Sequence, residues 1–551
     1  MPSILSRPVK LPPAGWTLAG LLAIYVLAGL FGHDPWKPED VVHLTVARDF
    51  LDPGHSPAFL PMRRDFLAAP LYYWSAAFTE FVFGGILPRH DALRLASGLW
   101  TALTLMALYH AGREWYGKES AAAAPILLIG SFGLIVRVHE AQPMLTLLAA
   151  ESLLLLALAL LPRKGRAALF LSALAISLAA LGAGISGLLP LLLFCLLPLG
   201  MRYRTAEGIL RNWGAGILLG VAMTGAALFL LHHTAPEWLN AWLDREWRVL
   251  AGDWRYGGDL LEYAALLPWF SWPLWPLAGW TLWKSRRAWR SVETLRQSGA
   301  ISLPLGAFSL LLLLLPICFA ARESVAMLFL PPLALLATPG ALTLRRGAAN
   351  AFDWFSGMLF CVFALLLWVG WSAMVFGHPA RLAQRAAELA PGFTGRFAFW
   401  PFVLAVTVTL WWLLLLRLPR SPWRCLIRWS AGLITLWLLA VSLWLPWIDY
   451  GKSYRPLAAA LAAQLPKERP ACIAEWRLGE AQRASFAYFE RLVFTPLSAA
   501  GEHCRWLLIQ DNPRAETAPP PGHSWQRVWE GGRPGDRKER FRLYININVK
   551  K

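Results

Sequence analysis

Long apolar runs recur along almost the whole chain, and no other feature constrains its fold so tightly. A segment must hold about eighteen apolar residues to cross a bilayer. Candidates of that kind lie near 15–32, 92–112, 121–137, 143–161, 167–183, 185–200 and 213–231. The series continues near 262–283, 303–320, 325–342, 353–376, 399–416 and 430–447, giving about thirteen spans. A chain that is 57% hydrophobic and only 16% charged cannot pack as an ordinary soluble domain. It therefore reads as a mainly α, polytopic membrane protein. Its 31 tryptophans fit, because an indole that is apolar on one edge and wet on the other settles at the bilayer interface. Arg7 and Lys10 precede the first run, which lacks a small-residue cleavage pattern and reads as an anchor rather than a cleaved signal.

The formal charge of +18 would suggest nucleic acid in a soluble protein. Here Lys and Arg gather instead in alternate short loops: Arg163, Lys164 and Arg166; Arg202, Arg204 and Arg211; Lys284 to Arg296; Arg345 and Arg346; Arg417 to Arg428. Positive loops stay in the cytoplasm, so no nucleic-acid partner is expected. With an odd number of spans the N-terminus is cytoplasmic, and residues 33–91 and the tail from 448 lie on the outer, periplasmic face. The organisation expected is a transmembrane domain over 1–447 and an outer domain over 448–551. In the tail, CIAEW, RWLLIQ, WQRVWE and RFRLYIN read as strands and EAQRASFAYFERL as a helix, making a small α/β domain. Cys472 and Cys504 each open a strand, and an oxidising compartment would let them pair. Cys195, Cys318, Cys361 and Cys425 lie in or beside apolar spans and read as packing residues.

The first outer loop begins HDPWKPEDVVHLTVARDF. Pro38 suits a helix start, and Glu39 with Asp40 would favour the positive end of that helix. A capped surface helix is the plain reading. The other is functional, because a pair of acids, His43 one turn on and Arg48 beyond all sit at a membrane surface. PLYYWSAAFTEFVFG, with Tyr72 and Tyr73, is aromatic but too short to span, so it is expected to lie in the interface plane. Together these segments make an outer-leaflet pocket with acids above it.

A first span followed by PWKPED, PLYYW, RLASGLWTALTLMALYHAGREWYG, LEYAALLPWFSWPLWPLAGW, ARESVAMLFLPPLALLA, DYGKSYRP and LGEAQRASFAYF is an informative order. In it the chain resembles the bacterial polyprenyl-phosphate-sugar glycosyltransferases of the aminoarabinose transferase and protein O-mannosyltransferase superfamily, over nearly its whole length. The resemblance implies the membrane glycosyltransferase C-type fold, in the bacterial inner membrane, with interfacial helices in the first outer loop and a periplasmic C-terminal domain. It also implies transfer of a sugar from a polyprenyl phosphate to an envelope acceptor, whether lipid A, another glycan or a protein. No HxxxH or CxxC cluster asks for a metal, and no cofactor is expected.

Such a reaction needs a carboxylate to take the acceptor proton and cations to hold the phosphate. Glu39 and Asp40 fall on the superfamily's Asp-Glu pair with the order of the acids swapped. Either can be the base; position favours Glu39, and spacing does not separate them. The chain also departs from the superfamily pattern. Leu67 and Ala68 stand where Glu and Lys are usual, Gln142-Pro143 replaces Asp-Pro, and Ala183-Gly184 replaces Lys-Gly. Substitutes for the lost cations are Arg63, Arg64, Arg137, His139, Arg322, Lys452 and Arg455, although an arginine at a helix end also commonly snorkels to the headgroups. A second reading follows from these departures: a catalytically silent relative that binds polyprenyl lipid or partners an active transferase.

Overall fold

The computed structural model describes residues 15–51, 69–201, 206–234, 236–251, 260–286, 298–466, 472–497, 504–512, 525–536 and 538–547. Arg63 and Arg64 lie outside them. Among the described residues seven helices are long and apolar enough to cross a membrane, and shorter apolar helices such as Met144–Leu160 and Phe399–Leu415 join them. Helix Leu330–Leu342 is buried throughout, at the centre of the bundle. Helix Arg346–Phe376 instead keeps large apolar side chains such as Val362, Leu365 and Leu366 on the outside. That inversion of the soluble pattern is what a lipid solvent permits.

Two of the expected runs meet at a break. Helix Gly165–Phe194 is interrupted at Gly184, whose backbone (φ 65°, ψ −154°) only glycine adopts readily. Gly165 packs on Asn212, Gly216 on Ser172 and Gly220 on Ile176, so residues 165–183 run parallel to Ala206–Thr234. Two consecutive parallel segments require a return between them, and the chain therefore reverses at Gly184. The run near 121–137 also breaks, into Ala123–Ile129 and Leu134–Arg137, around Gly130 and Gly133, where the side chains of Trp429 and Phe270 press against the backbone.

The tail folds as a five-stranded sheet in the order β2-β1-β3-β5-β4, comprising β1 (Ile473–Trp476), β2 (Phe494–Pro496), β3 (Trp506–Asp511), β4 (Trp525–Gly531) and β5 (Arg540–Asn546). β1 pairs in parallel with β2 and β3, whereas β5 is antiparallel to β3 and β4. Side chains alternate across a strand. Leu508, Phe541 and Leu543 accordingly pack on helices Arg455–Ala462 and Glu480–Glu490, while Leu507, Ile509 and Tyr544 cluster with Cys504 on the other face. Cys472 is bridged to Cys504 with their Cα atoms 5.4 Å apart, which ties the start of β1 to that of β3. β2 is the strand the sequence hides: three residues ending in proline, tolerated only because it forms an edge.

The segment after the first span joins body to tail. Helix Glu39–Leu51 lies on helix Glu480–Glu490: Val41 and Val42 pack on Ala484, and the Thr45 hydroxyl reaches the Ala484 carbonyl at 3.2 Å. Arg48 donates to the carbonyls of Ala487 and Tyr488 at 2.9 and 2.8 Å. These bonds end on backbone oxygens, so they orient the tail without demanding a particular partner side chain.

Candidate active site

Successive helical side chains diverge by about 100°, and helix Glu39–Leu51 is enclosed closely enough to use that divergence. Asp40 points into the body and is fully buried. Its carboxylate receives Arg94 Nε and Nη2 at 3.1 and 2.8 Å, the Ala141 N–H at 2.7 Å and the Trp36 N–H at 3.1 Å. Arg94, also fully buried, spends its remaining N–H groups on the His33 carbonyl (3.0 Å), Asp91 Oδ1 (3.1 Å) and the Asp34 carbonyl (3.1 Å). All five guanidinium donors are thus used. Burial by itself would raise the Asp40 carboxyl, but the charge and hydrogen bonds of Arg94 outweigh it and hold Asp40 below the usual carboxylate range. Burial, helped by the same Arg94 cation, pushes His33 down to about 4.

Glu39 turns the other way, into an open cavity of about 710 Å³ lined by Glu39, Arg137, Arg322, Ser324 and, from the tail, Glu480 and Gln482. Gln142 Nε2 donates to Glu39 Oε2 at 2.6 Å and the Ser324 hydroxyl to Oε1 at 3.1 Å. Arg322 Nη1 lies 4.0 Å from Oε1. Arg137 is gripped from two sides, by Glu323 through Nε (3.0 Å) and Nη2 (2.7 Å) and by Glu140 through Nη1 (2.6 Å). Burial raises the Glu140 carboxyl; Arg137 opposes this, the Asp40 and Glu39 charges add to it, and the result is pushed up to about 7. The cavity therefore sets the Glu39 carboxylate near two guanidiniums, with Lys37, Glu323 and Glu480 also on its wall, in a volume typical of small-molecule sites. Chemically it offers a proton acceptor beside two cations suited to a phosphate.

No family model matches the chain. An undecaprenyl phosphate-alpha-4-amino-4-deoxy-L-arabinose arabinosyl transferase of Pseudomonas fluorescens strain Pf0-1 is 27% identical over 292 residues, covering 49% of this chain and 50% of that protein. The chain thus matches about half the length of that relative. A second transferase of the same name, from P. fluorescens strain Pf-5, is 26% identical over 466 residues, covering 78% of this chain and 74% of the relative. The crystal structure of ArnT from Cupriavidus metallidurans bound to undecaprenyl phosphate superposes with a TM-score of 0.61 at 16% identity, over 98% of this chain and 99% of that one. The chain has the ArnT fold. Its apo form gives the same TM-score over 96% of this chain. In sequence and in fold, the chain resembles the aminoarabinose transferase superfamily, and it is a multi-pass membrane protein.

Within this ArnT-like frame the remaining expected site residues separate into groups. Arg137 and Arg322 join Glu39 at the cavity. His43 and Tyr73 meet at 3.0 Å within the segment after the first span, and the Tyr72 hydroxyl, 2.8 Å from Ser97 Oγ, ties that segment to helix Arg89–Tyr116. Arg48 holds the tail, as described above. His139 is buried, with its ring nitrogens 2.5 and 2.7 Å from the carbonyls of Ile135 and Tyr25 and its ring stacked on Trp437. Lys452 sits over the Trp36 ring, 4.4 Å from its centre. Arg455 pairs with Asp34 at 3.0 Å. Burial would raise Asp34, but the hydrogen bonds from Arg455 and Ser453 prevail and lower it.

Arg94, Glu323, Ser324, Glu480 and Gln482 escaped the sequence reading. Arg94 carried a legible signal, a charge within an apolar run three residues after Asp91. Buried charges in such runs need partners. Glu480 and Gln482 carried none, because only docking of the tail brings them to the cavity.

Proposed function

We propose that this protein transfers a sugar from a polyprenyl phosphate to an envelope acceptor at the outer face of the bacterial inner membrane, with Glu39 as general base. The observation that carries this is the divergence of the two acids: Glu39 faces the cavity between Arg137 and Arg322, and Asp40 is committed to Arg94. The fold and the two transferase relatives supply the reaction class. Glu39 takes the proton of the attacking acceptor oxygen, Arg137 and Arg322 hold the phosphate that departs with the lipid, and the tail closes one wall. The outer loop and tail are periplasmic and the N-terminus cytoplasmic, in keeping with the arginine-rich alternate loops. The acceptor is lipid A, another glycan or a protein. Mass spectrometry of envelope glycolipids and glycoproteins, with and without this protein, tests the reading: one sugar is expected to vanish from one acceptor class. Restoration by the parent chain and not by Glu39→Gln would tie that loss to this carboxylate.

One observation favours the second reading, binding of polyprenyl lipid without transfer. At the Gly184 reversal, where Ala183 stands in place of a lysine, the Ile185 N–H is occupied by the Glu246 carboxylate at 2.6 Å. Unchanged envelope sugars together with retained polyprenyl phosphate on the purified protein would select it.

A further inference from the structure

Resting on the transferase reading, we propose that Gln142 is a positioning residue that aims the Glu39 carboxylate at the cavity and keeps a competing acid away from it. Gln142 is nearly fully buried. Its backbone is held on both sides, the N–H 3.4 Å from Ser97 Oγ and the carbonyl accepting from Leu145 N at 3.1 Å. Which end of the amide faces Glu39 is also decided locally. Helix Met144–Leu160 begins just after Pro143, and its first N–H groups have no partner inside the helix. The Met144 N–H donates to Gln142 Oε1 at 3.3 Å. The amide nitrogen is thereby turned toward Glu39, at 2.6 Å. Ser324, on the cavity wall, holds the other oxygen, so both carboxylate oxygens are fixed while the carboxylate borders the cavity.

The charges around Glu39 make the choice of an amide consequential. Lys37 and Asp40 belong to its own segment, Arg137 and Glu140 face it from the segment after Leu134, Arg322 and Glu323 from the start of the next wall, and Glu480 from the tail. Among so many acids, a carboxylate in place of the Gln142 amide would stand at hydrogen-bond distance from Glu39, and the two would share a proton. An amide of the same size donates instead of competing.

The test uses purified full-length protein in phospholipid vesicles, with undecaprenyl-phosphate aminoarabinose as donor and lipid A as acceptor. For Gln142→Glu the acid limb of the kcat profile is expected about one pH unit or more above that of the parent. Gln142→Met, which keeps the volume and loses the donor, is expected to lower kcat about tenfold with the donor KM unchanged. A purely structural role would leave the limb in place, and superimposed acid limbs overturn the inference. Where the parent transfers no aminoarabinose to lipid A, that choice of donor and acceptor is what fails, and the positioning role is judged apart from it. Infrared difference titration of the Glu39 carboxyl, parent against Glu39→Gln, then decides the positioning role alone. A higher midpoint in Gln142→Glu upholds it, and identical midpoints overturn it.

Discussion

Asp40 and Glu39 are neighbours in one helical turn, yet they serve different regions. Around Asp40 every polar group is matched: Arg94 bridges Asp40, Asp91 and the carbonyls of His33 and Asp34, and water is excluded. Around Glu39 charges also abound, but they line an open cavity. The contrast teaches that an acid pair in a sequence is not a pair in function. One carboxylate holds the segment after the first span to the membrane body, and that anchoring leaves the other at a fixed place on the cavity wall.

The comparison breaks most visibly at Arg94. Arg94→Ala strands Asp40 and Asp91 in a dry interior, and removing one partner of a buried pair costs about 3–5 kcal/mol. Thermal unfolding in detergent is expected at a much lower temperature than for the parent, with transfer lost as a consequence. Glu39→Gln probes the opposite side. It should reduce transfer about a hundredfold or more while the unfolding midpoint stays with the parent, and Asp40→Asn should show the reverse weighting. Equal stability losses for the two would collapse the distinction drawn here. Arg48→Ala tests whether the cavity needs its tail wall. Losing charged donors to two carbonyls costs about 1.5–3 kcal/mol, and is expected as faster hydrogen exchange in helix Glu480–Glu490 with the transmembrane helices unaffected.

Glu140 lies on the boundary, behind Arg137 and within the field of both acids. Its folded-state value, about 7, lies above that of an ordinary glutamate, so the fold favours its protonated form. The stability it lends is complete at pH below the ordinary glutamate range and is lost as pH rises through about 7, with a slope of at most about 1.4 kcal/mol per pH unit. Glu140→Gln should flatten that slope. An unchanged pH dependence of unfolding between pH 5 and 8 would place the titrating group elsewhere.

Much of the body was legible because its signal is local. An apolar run must be lipid-facing or buried wherever it lies, and a glycine such as Gly184 marks a reversal through its own backbone. The candidate site was legible only in part. PWKPED carries Glu39, and Arg137 and Arg322, both named from the sequence, line the same cavity, whereas His139, Arg48, Tyr72 and Tyr73 make the buried and tail contacts described above. Gln142 read as a lost acid, because its partner is 103 positions away in the chain.

The sequence by itself determined a membrane-embedded helical body, a small α/β tail and an acid-bearing turn after the first span, since hydropathy, alternation and capping each act over a few residues. Tertiary structure alone decided which acid is buried, which faces solvent, and that the tail closes the cavity. Those outcomes depend on where Arg94, Gln142, Ser324 and Glu480 arrive in space. A carboxylate's role is set by the charges and donors within a few ångströms of it, and these come from segments that the order of residues does not bring together.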